Sequence, residues 1–147
     1  MKRMLLFSAV ALSLSSCTLI VSDDDYTPVA RPGNVKVWYC PSNQRTYDFS
    51  FQVDRAISSY EALLVSKGGS ANPNTALGST KIYLRSPESG TFRNSVTYNQ
   101  DQVGVTKLSI IVKPSEPNYD LYVRATAAGS GETSSFVRAS SYVQDCR

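Results

Sequence analysis

A two-residue period governs this chain and restricts it to strands. In Tyr47-Asp48-Phe49-Ser50-Phe51-Gln52-Val53 the odd positions are apolar and the even ones polar, the pattern of a half-buried strand. Val35 and Val37 alternate with Lys36 and Trp38, and Ile82 and Leu84 alternate with Lys81, Tyr83 and Arg85. Leu108, Ile110 and Val112 form another set, which Pro114 ends. Tyr119, Leu121, Val123 and Ala125 share one face of a strand, and Asp120, Tyr122, Arg124 and Thr126 share the other. Gly129-Ser130-Gly131 then supplies a turn, and residues 136–143 run back as a last strand. Strands at this spacing predict an all-β fold, a single antiparallel β-sandwich of seven or eight strands. Residues 58–67 admit two readings. Ser58-Ser59-Tyr60-Glu61 has the form of a helix capping box, with Gly68-Gly69 as a C-cap. Tyr60, Ala62 and Leu64 also fit the alternation, and a strand is the preferred reading.

Composition removes most catalytic chemistry. The chain holds no histidine, so the commonest general base and metal ligand are both missing. Its serines lack an activating base, and the nine Asp and Glu beyond residue 25 fall in no recognisable motif. The expectation is a non-enzymatic protein without metal or cofactor. No basic stripe suggests nucleic acid. Asp23-Asp24-Asp25 reads as part of a solvated spacer, since consecutive carboxylates do not converge on one ion without a shaped loop.

The N-terminus reads as an export signal. Lys2 and Arg3 precede an uncharged stretch over residues 4–14, and small residues follow. Its 11 residues suit a secretory signal and are short of the roughly 20 a spanning helix needs. Residues 4–21 are also uncharged, so an uncleaved anchor and plain secretion stay open as alternatives. Leu14-Ser15-Ser16-Cys17 resembles the lipobox of bacterial lipoproteins. That resemblance implies cleavage before Cys17, a lipid on its sulfur, and a protein held at a membrane of the cell envelope. Thr18, where an aspartate often retains such proteins at the inner membrane, implies the outer membrane. Cleavage removes two basic residues, leaving 13 basic and 12 acidic and a mature charge of +1. The division expected is a signal over residues 1–16, a lipid-anchored tether over 17–33 and a sandwich domain over 34–147.

Three cysteines in an exported chain leave one odd, and lipidation of Cys17 accounts for it. Cys40 and Cys146 then remain as a disulfide pair, the alternative being two separate buried thiols. Residues further on resemble the end of a fibronectin type III domain: Pro114, then Tyr119, Leu121, Val123 and Ala125, then the Gly129-Ser130-Gly131-Glu132-Thr133-Ser134-Ser135 hairpin. Pro32-Gly33-Asn34-Val35-Lys36-Val37 is similar to the first strand of that family. Room for an eighth strand near residues 91–98 makes a related immunoglobulin-like sandwich a close second. The resemblance implies that Tyr119 is a tyrosine corner, with a structural role. It also implies that the first and last strands run the same way, which places Cys40 and Cys146 at one pole.

The alternation suggests one binding surface. With Tyr60, Ala62 and Leu64 inward, Leu63 and Val65 face outward beside Tyr122, and Tyr83 joins from the next strand. The bland reading puts Leu63 and Val65 under the loop over residues 68–79. The functional expectation is a lipid-anchored envelope protein that binds another envelope protein in a cell-surface assembly. The alternative is a carbohydrate-binding module for cell-wall or surface glycan.

Overall fold

The computed structural model describes residues 29–99 and 117–147. Its strands are β1 (Gly33–Cys40), β2 (Asn43–Ser66), β3 (Gly78–Thr97), β4 (Tyr119–Ala127), β5 (Val137–Arg138) and β6 (Ser141–Gln144). No helix occurs among the described residues. Residues 58–66 belong to β2, so the capping-box pattern there makes no helix. The set Leu108, Ile110 and Val112 lies outside the described residues, as do Cys17 and the signal.

All six strands join one sheet in the order β5-β4-β2-β1-β6, with β3 also paired to β2. Neighbours are antiparallel except β1 and β6, which run parallel. The sheet is therefore mixed, which corrects the purely antiparallel expectation. The stretches that read as separate strands are also continuous here: residues 47–53 and 58–65 lie in β2, and residues 82–84 and 91–97 lie in β3.

Bulges explain the continuity. β2 pairs with β1 along its first half and with β4 along its second. Between Ile57 and Ser59 it advances two residues while β4 advances one, from Ala127 to Thr126. That extra residue reverses which side chains face inward. Tyr47, Phe49, Phe51, Val53 and Ile57 are buried at odd positions, and Tyr60, Ala62 and Leu64 at even ones, all in one core. β3 is irregular at the same place, where Ile57 pairs with Glu88 but Ser59 pairs with Tyr83. The β2–β3 hairpin bends at these bulges and the sheet curls.

The curl brings the two ends of β3 together. Asn99 N–H donates to Leu77 O at 2.7 Å, and Thr80 Oγ1 donates to Ser95 O at 3.0 Å. Gly78 permits this approach, because a Cβ there would collide with the Thr97 carbonyl oxygen. Val35, Val37 and Tyr39 of β1, with Leu121, Val123, Ala125 and Ala127 of β4, complete the core inside the curl. Phe51 stacks on Phe92 at 5.3 Å between ring centroids, and Tyr60 meets Phe51 edge-on at 5.1 Å. Each fully buried aromatic of this kind stabilises the fold by about 1.5–3 kcal/mol relative to exposure.

Ala30 is 2% exposed and Pro32 is buried. The folded body therefore begins earlier than residue 34, and the end of the expected tether is part of the core. At the opposite terminus Cys40 and Cys146 are joined, with a Cα–Cα distance of 4.7 Å across 106 residues of sequence.

Candidate functional site

The four residues expected to form a surface do share one face. Leu63 pairs with Tyr122 across β2 and β4, and Ser59 pairs with Tyr83 across β2 and β3. Their exposures diverge sharply. Leu63 is 0% exposed and Val65 3%, whereas Tyr83 is 71% exposed. Leu63 and Val65 form a second small core with Ala76, against which Ala71, Tyr122 and Phe136 pack. The expectation that they are open to a partner is corrected: residues 67–77 cover them.

A buried carboxylate fastens that cover. Asp120, 1% exposed, accepts from Gly68 N–H at 2.7 Å and from Arg138 Nη2 at 2.9 Å. Tyr122 O–H donates to Gly69 O at 2.9 Å, and Lys67 N–H donates to Asn118 O. The hydrogen bond to Asp120 raises the pKa of Arg138. A charge so buried is tolerated because it is paired and hydrogen-bonded. Tyr142 is also close, its hydroxyl 3.5 Å from Asp120 Oδ1 while accepting from Leu121 N–H at 3.0 Å. Burial pushes the Tyr142 hydroxyl above its usual pKa.

The other end of the same face stays open. Arg124 donates from Nε and Nη2 to Glu61 Oε2 and stands over the Phe136 ring at 4.4 Å. Lys81 Nζ lies 5.3 Å from the centre of the Tyr83 ring. Tyr83 thus projects beside Lys81, itself the strand neighbour of the Glu61–Arg124 pair.

Tyr119 stacks on Tyr98 and meets Tyr47 edge-on, and burial raises its hydroxyl pKa. The backbone a few residues upstream, where a tyrosine corner needs its acceptor, lies outside the described residues. Cys40 and Cys146 are bonded, as expected.

A residue not singled out from sequence stands on the other half of the sheet. Trp38, the only tryptophan of the chain, is half-buried on the outer side of β1. It lines an open recess of about 560 Å³ with Asp48, Arg93, Ser95, Asp145 and Arg147. Its place among the outward positions of β1 was a visible signal, since an aromatic on a polar face needs a reason.

No family model matches this chain, and no curated protein matches it. Among solved structures it is similar to the ligand binding region of Serine-glutamate repeat protein A (SgrA) of Enterococcus faecium. The two share 14% identity at a TM-score of 0.40, over 77% of this chain and 96% of that one.

Proposed function

We propose that this chain is a non-enzymatic lipoprotein of the bacterial envelope, anchored through Cys17 at the outer membrane, whose all-β body binds another envelope protein. The basic start, short apolar stretch and Leu14-Ser15-Ser16-Cys17 support the anchor. Two acyl chains hold a protein stably where one does not. The Cys40–Cys146 bond suits an oxidising compartment. The body is a curled relative of the fibronectin type III or immunoglobulin-like sandwich; the parallel run of β1 and β6 supports that kinship.

The open face around Tyr83 carries the protein-binding reading. Tyr83 is 71% exposed beside Lys81, which neighbours the Glu61–Arg124 pair across the strands. Exposed aromatics with arginine are enriched at protein interfaces, where they act as anchors. The test is crosslinking and co-purification from native membranes. One protein should be recovered in stoichiometric amount with the parent chain and lost with Tyr83→Ser, whose melting temperature should not change. Cys17→Ser should abolish fatty-acid labelling. Equal recovery with Tyr83→Ser refutes this surface, and unchanged labelling refutes the anchor.

A further inference from the structure

Three strands and the C-terminal segment line the Trp38 recess in a definite order. Val143, Trp38, Asp48 and Ser95 are register neighbours across β6, β1, β2 and β3. The adjacent row runs Ser141, Lys36, Ser50 and Arg93. Arg93 Cζ stands over the Trp38 ring, 5.9 Å from its centre. Asp145 N–H donates to Tyr39 O at 2.9 Å, and Cys146 is tied to Cys40, which fixes the chain at one side of the recess. There Arg147 and Asp145 pair with each other at 2.9 Å. Asp48 and Arg93 have no ion-pair partner among the described residues.

We infer that this recess binds a neutral glycan, with one sugar ring packed beside Trp38 and the Arg93 guanidinium over it, and its hydroxyls held by Asp48 and Arg93. The inference goes beyond the protein-binding reading and uses a different part of the sheet. Its volume falls within the range of small-ligand sites. The chemistry then selects the ligand. The apolar C–H face of a sugar matches the part of the half-buried indole of Trp38 that stays in water. Neighbouring hydroxyls each donate and accept, which suits a carboxylate that accepts beside a guanidinium with parallel N–H donors. Two cations and two carboxylates line the recess, so no net charge draws in a polyanion or a basic peptide.

Because Trp38 is the only tryptophan, fluorescence of the detergent-solubilised full chain excited selectively at tryptophan reports this recess. Cello-, chito-, malto- and manno-oligosaccharides are titrated to about 10 mM, in parallel with calorimetry. At least one series should shift the emission saturably, with an affinity on the order of 0.1–1 mM, or about 4–5.5 kcal/mol. Asp48→Asn and Arg93→Gln should each weaken it about tenfold or more with melting temperature unchanged, and Tyr83→Ser should leave it as it is. The absence of a saturable response to every series in both measurements overturns the inference. So does binding by Asp48→Asn and Arg93→Gln equal to the parent. Neither result touches the co-purification test at Tyr83, so the two readings fail separately.

Discussion

Leu63 and Val65 show how a single side chain's role depends on what crosses it. Both occupy outward positions of β2, yet residues 67–77 seal them against Ala76, Tyr122 and Phe136. Leu63→Ala should therefore destabilise the fold by about 2–5 kcal/mol, the cost of a large-to-small change in a closed core. Denaturant melts will check it; a change below about 1 kcal/mol would mean that the cover is not closed in solution. Tyr47 carries a different consequence of burial. Its ring is 0% exposed, and burial pushes the hydroxyl well above its usual pKa of about 10, against the pull of backbone hydrogen bonds from Asn118 and Tyr119. Below about pH 10 the phenol is protonated in both folded and unfolded chains and adds no pH dependence. Above it the unfolded chain ionises first, and stability falls by up to about 1.4 kcal/mol per pH unit. Melting temperatures from pH 8 to 11 should drop at the alkaline end, and Tyr47→Phe should flatten that drop.

At the scale of elements, the strands were legible and their joins were not. Tyr47 to Val53 and Tyr60 to Leu64 each alternate cleanly, but on opposite parity. Read locally, that change marks two strands with a turn between them. A bulge at Ser58 absorbs the extra residue instead, and β2 continues for 24 residues. Sequence period records which side chains share a face and is silent about a backbone kink that exchanges the faces. The closure of β3 was equally hidden, because it depends on Gly78 meeting Thr97. Gly78→Ala should cost about 1–3 kcal/mol through forced separation of those backbones, read as a lower unfolding midpoint. An unchanged midpoint would mean that the two ends of β3 do not touch.

For the whole molecule, the terminal linkage sets the frame. β6 lies parallel to β1, and the Cys40–Cys146 bond closes a loop with a sequence separation of 106. On the chain-entropy account such a closure contributes about 4–5 kcal/mol. Replacing both cysteines with serine should lower the unfolding free energy by that order, measured without reductant; a loss under about 1 kcal/mol would show that strand pairing alone holds the termini. The same bond positions Asp145 and Arg147 beside Trp38, so the replacement also tests how the recess is built. By itself the sequence determined an all-strand body, the inward sets at residues 35–37, 47–53, 60–64 and 119–125, and the cysteine pair, because side-chain period and residue chemistry are local properties. Only the tertiary structure decided which outward residues stay in water. The cover over Leu63 is fixed by Asp120 reaching a loop 52 residues away, and the recess at Trp38 by four chain segments converging. Contacts at that separation leave no trace in a two-residue period.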